Sequence, residues 1–158
     1  MRWIFYESPL SGRMLSILRI IAGIIFVSFG TMKLFGYPPS PTPIGPVDLN
    51  SQLGIAGMLE VVGGLAIVFG LLTRPVAFVL SGEMAVAYFQ AHFPRNFWPV
   101  LNGGENVVLF CFVFLYLFVT GAGPYSLDAL LRSRRHLHAS SADRTARDRR
   151  PAVAAERL

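Results

Sequence analysis

Four stretches of this chain are each long and apolar enough to cross a lipid bilayer, and no other feature restricts the fold as tightly. A spanning helix needs about 20 mainly apolar residues. The stretches cover 14–35, 53–72, 75–93 and 105–122. The first and fourth are unambiguous, whereas the second and third each carry a glutamate, Glu60 and Glu83, and several small residues. An ionised carboxylate costs about 2.5 to 3.5 kcal/mol at mid-bilayer, and each large aliphatic or Phe residue returns only about 0.3 to 0.6. Spans two and three are therefore marginal alone, and the short Thr73-Arg74-Pro75 connection predicts that they insert as a hairpin. The expected fold is all-α, an integral membrane four-helix bundle.

Composition agrees, with 53% of the 158 residues hydrophobic and 15% charged, a shift towards lipid from the balance of soluble domains. Cys111 is the only cysteine, which excludes an internal disulfide, a thiol relay using a pair of its own cysteines and a Cys-rich metal site. Its place in span four suits packing rather than nucleophilic attack. The net charge of +5 lies wholly in residues 132–158, where eight arginines face Asp143, Asp148 and Glu156. That segment lacks apolar periodicity and is expected to be a disordered cytoplasmic tail facing anionic lipid head groups. No basic folded surface or base-stacking module accompanies it, so nucleic acid is not an expected partner.

The domain plan is a cytoplasmic or interfacial segment 1–13, a four-helix domain 14–131 and the tail. Span one is read as a retained helix, being too long for the core of a signal peptide. The linker 36–50 holds five prolines (38, 39, 41, 43 and 46) and is expected to be an extended, exposed loop. Pro75 suits the first turn of span three. Arg2, Arg13, Arg74 and the tail fall on one side of the membrane, against Arg95 and Lys33 towards the other. The basic side is expected to be cytoplasmic, with both termini inside and Tyr37 and Trp98 at the outer interface.

The polar residues inside the spans are the candidate site. Arg19, Gly23, Phe26, Gly30 and Lys33 recur at spacings of 4, 3, 4 and 3, so they share one helix face, which should turn into the bundle. Gly57, Glu60, Gly63 and Gly64 repeat the pattern in span two. Glycines at these spacings serve close helix packing, but packing does not require a carboxylate. Glu83 sits mid-span in span three, with Gln90 on the same face and His92 near the outer end. Asn102 is placed to cap span four, and Glu105 lies in its first turn, where the helix dipole favours an anion. Rough depths at 1.5 Å per residue predict a Lys33–Glu105 pair near the outer surface. Glu60 and Glu83 would then pair with Arg19 or carry protons. These seven residues (Arg19, Lys33, Glu60, Glu83, His92, Asn102 and Glu105) form either register-fixing ion pairs or a polar pocket for a small ligand or a proton.

Several segments together resemble the DoxX family of small membrane proteins. They are Arg19…Gly23…Gly30…Lys33-Leu34, Glu60-x-x-Gly63-Gly64…Gly70-x-x-Thr73-Arg74, Asn102-Gly103-Gly104-Glu105 and Gly121-x-Gly123-Pro124-Tyr125-Ser126-Leu127-Asp128. The resemblance covers roughly residues 13–130. It implies a four-helix membrane bundle and a loose link to quinol-dependent membrane redox systems.

Three functions remain open. The first is a small non-catalytic subunit or anchor of a membrane redox or oxidative-stress complex, with a quinone as candidate ligand near Tyr88, Phe89, Phe93, Trp98, Phe112 and Tyr116. Only His92 lies in or near a span, since His136 and His138 belong to the tail, so a redox centre is expected in a partner. The second is a proton-coupled carrier, which with four helices would work as a homo-oligomer. The third is a structural scaffold. No Ser-His-Asp arrangement or metal-ligand spacing is visible, so no catalytic or metal-binding residues are assigned.

Overall fold

The structure, a computed structural model, describes residues 9–40 and 45–133. Every regular element among them is helical. Helix α1 runs Pro9–Phe35, α2 Gln52–Phe69 and α3 Thr73–Ala87, which continues through a π-helical turn, Tyr88–His92. A short α4, Pro99–Asn102, precedes α5, Glu105–Thr120, and residues 127–133 are again helical. The segments Leu10–Phe35 and Gln52–Phe69 are long and apolar enough to cross a membrane, and Glu105–Thr120 is apolar but shorter.

The boundaries depart from the expectation where local chemistry intervenes. The first helix starts at Pro9 rather than at residue 14, because proline is well suited to an opening turn. The rest of the expected segment 1–13 lies outside the described residues. Arg132 and Ser133 are helical rather than disordered, and the expectation for 134–158 also lies outside them. In the proline-rich linker, Val47 N–H donates to the Lys33 carbonyl at 3.1 Å, so the loop folds back on the end of α1. Ser51 Oγ accepts from Gly54 N–H at 3.0 Å and caps α2. That helix stops at Gly70, whose φ of 66° is left-handed. Gly70 N–H then donates to Ile67 O at 3.1 Å and Leu71 N–H to Ala66 O at 2.9 Å, satisfying carbonyls that a helix end leaves open.

Helix α1 packs along α2, and α3 packs along α5; α2 and α3 meet less extensively, and α1 only touches α5. The bundle is thus two helix pairs joined at a seam. The expected inward face of α1 is observed, with Arg19, Gly23, Phe26 and Gly30 all buried. The α1–α2 contact is close because glycines remove side chains from it. A Cβ built at Gly30 would stand 2.7 Å from the Gly57 carbonyl oxygen, and one at Gly23 would stand 2.7 Å from a Val68 methyl. The core between the pairs is Phe26, Ile67, Ala77, Leu80, Met84, Phe114 and Leu117, with the rings of Phe26 and Phe114 edge-on at 4.7 Å. Facing outward are large apolar residues such as Ile21, Val62, Phe78 and Leu109. Water-soluble monomers rarely expose so continuous an apolar surface, and lipid covers it at no cost.

Two glycines separate the effects of contact and of helix propensity. Gly30→Val should destabilise the protein by about 1–3 kcal/mol through overpacking against α2. Gly82, with open space where its Cβ would stand, should gain up to about 1 kcal/mol as Gly82→Ala. Unfolding in detergent micelles measures both, and equal effects would contradict the packing described.

Candidate functional site

The charged residues of the spans form two separate centres rather than one cluster. The first is Arg19, which has no exposed surface. Its Nε–H donates to Ala122 O at 2.9 Å and Nη2–H to Tyr125 O at 2.6 Å. Its Nη1 donates to Ile67 O and, at 2.5 Å, to Val68 O. A planar guanidinium with five donors suits this arrangement, and a lysine does not. Ile67 and Val68 are in the last turn of α2, where open carbonyls attract a cation. Arg19 therefore joins the end of α2 to the segment that follows α5. It does not pair with Glu60 or Glu83, so of the two alternatives expected for those carboxylates the pairing with Arg19 is not formed.

Asp128 completes this end of the molecule. Its carboxylate accepts from Leu72 N–H and Thr73 N–H, both at 2.9 Å, while Asp128 N–H donates to Gly70 O at 2.9 Å. The first turn of α3 is thus capped by a residue far along the chain, and the left-handed φ of 48° at Leu72 is held there. Sequence reasoning missed this role for Asp128. The signal in the sequence is the Gly121–Asp128 segment, which forms part of the family resemblance.

The second centre lies at the seam between the helix pairs. Lys33 Nζ forms an ion pair with Glu60 Oε1. The Glu60 side chain is 3% exposed and that of Lys33 is 16% exposed. Glu83, from α3, lies within electrostatic range of both Glu60 and Lys33. Glu60 Oε2 and both carboxylate oxygens of Glu83 are buried without a hydrogen-bond partner among the described residues. Lys33 forms its ion pair with Glu60, Glu83 stands level with Glu60 across the antiparallel α2–α3 contact because Gly63 lies against Leu80 one turn away, and three acceptor atoms are unmatched.

The expected Lys33–Glu105 pair is not formed. Glu105 is exposed at the start of α5, and α5 hardly touches α1, whereas α2 is the immediate neighbour of α1. Arg19 is excluded from the Glu60–Glu83 centre by distance, since fourteen residues of helix separate it from Lys33 by about 21 Å. Asn102 is buried but does not cap α5 as expected, because Gly104 holds the capping position. Instead, Asn102 Oδ1 accepts from Gly104 N–H at 2.8 Å and its Nδ2 donates to Asn96 O at 2.7 Å. His92 Nδ1–H donates to Asn102 O at 3.1 Å. His92 and Asn102 thus organise the loop before α5. Above the seam, the side chains of Gln52 and Gln90 hydrogen-bond to each other across α2 and the π-helical turn. Phe112 and Tyr116 point outward. Cys111 packs against the core, and its carbonyl accepts from Ser81 Oγ–H at 2.9 Å.

Comparison with known proteins gives a consistent set of relatives. The DoxX family model matches residues 14–93. An uncharacterised protein of Haemophilus influenzae is 40% identical, with 72% of this chain and 87% of that protein covered. The Inner membrane protein YqjF of Escherichia coli is 33% identical over 73% of this chain and 90% of its own length. The Putative oxidoreductase CatD of Bacillus subtilis is 29% identical, with 71% and 82% covered. No solved structure matches the chain.

The Arg19 centre predicts a stability phenotype. Arg19→Lys should cost about 3 kcal/mol by leaving buried carbonyls unpaired at about 1–3 kcal/mol each. Asp128→Ala should cost about 1 kcal/mol through the lost cap. Denaturant titration of the micellar protein reads both, and a wild-type midpoint for Arg19→Lys would remove the role assigned to the guanidinium.

Proposed function

The chain belongs to the DoxX family of membrane proteins, and from that premise we propose that it is a four-span inner-membrane protein serving as a small non-catalytic subunit of a membrane redox complex. Its own contribution is a polar site between the helix pairs for a small ligand that donates hydrogen bonds, with a quinol as the membrane-soluble candidate. A partner protein would supply the redox centre.

One observation carries this reading: three unmatched carboxylate oxygens on Glu60 and Glu83, buried at a seam between apolar helices. Acceptors without donors select a ligand bearing O–H or N–H groups. A quinol presents two hydroxyls on an apolar body that partitions into lipid. Support for the redox setting comes from the relative named a putative oxidoreductase, and support for the inner membrane from the relative named for it. The third span would be α3 together with its π-helical turn, and the fourth would be α5. Arg13, the α2–α3 turn with Arg74, and Arg132 belong to one end of the bundle, since Arg19 and Asp128 tie those segments together. The excess of arginine there supports a cytoplasmic placement of both termini, with the tail lying along anionic lipid.

Decyl-ubiquinol added to the solubilised protein is the probe. Glu83→Ala should weaken its binding about tenfold, the worth of one hydrogen bond to a charged group. Glu105→Gln should leave binding unchanged. Fluorescence titration or equilibrium dialysis gives the affinities. Equal binding by wild type and Glu83→Ala, or none by wild type, would overturn the ligand site.

A further inference from the structure

We infer that Glu60 and Glu83 share one exchangeable proton per chain, and that this proton enters and leaves at the end of the bundle where Gln52 meets Gln90. The inference rests on the membrane placement proposed above, and it deepens the reading of the same site without requiring a quinol.

The charge balance comes first. Lys33 on α1, Glu60 on α2 and Glu83 on α3 are the ionisable groups that meet at the seam. Helix α5 adds no charge there: Glu105 is exposed at its first turn, Tyr116 points outward, and the Cys111 thiol lies 3.6 Å from Ser81 Oγ. In the π-helical turn, His92 is engaged by the Asn102 carbonyl. Arg19 is committed to backbone carbonyls at the far end of α1. The seam therefore holds one positive and two negative groups. An uncompensated carboxylate among apolar helices is costly, and such groups pair, neutralise or reach water. A single proton removes the excess charge. It also turns one unmatched carboxylate oxygen into an O–H donor, so the same event addresses both the charge and the shortage of donors.

The route follows from the helix register. Gln52 precedes Glu60 by eight residues on α2, and Gln90 follows Glu83 by seven along α3 and its π-helical turn. At 1.5 Å per residue the two glutamines lie about 10–12 Å from the glutamates, on the same two elements and towards the same end. They are exposed and hydrogen-bonded to each other, so the seam has polar groups both at its mouth and at its interior site. Gln90 sits within the π-helical turn, a local widening frequent at functional positions. In the other direction the seam is closed. Ile67, Ala77 and Leu80 are at most 1% exposed, and a Cβ built at Gly63 would stand 2.7 Å from Leu80 Cδ2. Proton exchange thus runs through one end. The step balances as a carboxylic acid giving its proton to water at the Gln52–Gln90 mouth and becoming a carboxylate, and the reverse.

Infrared difference spectroscopy of the whole protein in vesicles, without added quinol, tests this. The spectrum between acid and alkaline buffer should show one carboxylic-acid C=O band that shifts in deuterium oxide. Charge balance then fixes the variants. Glu60→Gln and Glu83→Gln each leave a neutral pair with Lys33 and should lose the band. Lys33→Met leaves two carboxylates with no cation and should double it. Glu83→Asp should retain it, and circular dichroism checks that each variant is folded. Gln52→Ala should speed deuterium exchange of the band by about threefold to tenfold, the worth of one net hydrogen bond. A wild-type protein without the band, or a band unchanged in Glu83→Gln, would overturn the shared proton. Exchange unaffected by Gln52→Ala would overturn the route. Quinol binding that persists without the band would leave the ligand reading standing and this one refuted, so the two fail separately.

Discussion

Inside a helix bundle surrounded by lipid, a charged side chain has no water to turn to, and its partners must come from the protein. This requirement decides how the helices meet. Arg19 satisfies it with backbone carbonyls alone. The last turn of α2 and the chain after α5 present those carbonyls at one place, and the guanidinium holds them there. Asp128 then reaches from the same terminal segment to the first amides of α3. The positive group meets the electronegative end of one helix and the negative group the electropositive start of the next, as the backbone dipoles dictate. At that end the charged groups are matched, and Thr73 Oγ1 is a buried hydroxyl without a partner among the described residues.

The seam between the pairs is different. The α1–α2 pair is drawn close by glycines, and the α3–α5 pair packs through larger side chains. Where the pairs meet, aromatic and aliphatic residues fill one part, and Lys33, Glu60 and Glu83 fill another. The contacts across the seam, α2 with α3 and α1 with α5, are smaller than those within each pair, so the seam is also where the bundle can admit something at least energetic cost. The unmatched carboxylate oxygens lie at this seam, whereas the Arg19 end holds a single unpartnered hydroxyl, Thr73 Oγ1, among the described residues.

Much of this was legible in the sequence because helical periodicity is a local signal. The face bearing Arg19, Gly23, Phe26 and Gly30, the glycine side of α2 and the place of Pro75 in the first turn of α3 all follow from spacing. The pairings did not follow. Depth alone matches Lys33 to Glu105, and depth carries no information about which helices are neighbours. A carboxylate partner for Arg19 can be read from side-chain letters, whereas the Ile67 and Val68 carbonyls that it meets at the end of α2 leave no distinctive letter. The cap from Asp128 joins residues more than fifty positions apart, beyond the reach of capping patterns. Asn102 had the residue type of a cap but a position two residues early, and its amide closes the preceding loop instead.

A balanced ion pair within a bundle can be explained by register alone. Lys33 with Glu60 would suffice for that, and apolar residues of the same volume would often hold the helices at least as well. Glu83 is harder to account for on structural grounds. It adds a second carboxylate beside one already paired, brings no hydrogen bond of its own and lies on the helix across the seam. Its presence costs stability unless something arrives to match it. Whatever binds preferentially to the folded state stabilises it, and by more the further its concentration exceeds its Kd. A donor that enters from the Gln52–Gln90 end, whether a proton or a ligand hydroxyl, would offset that cost when present and restore it on leaving. The stability of the seam is then coupled to what occupies it, a property that a site made only of matched pairs would lack.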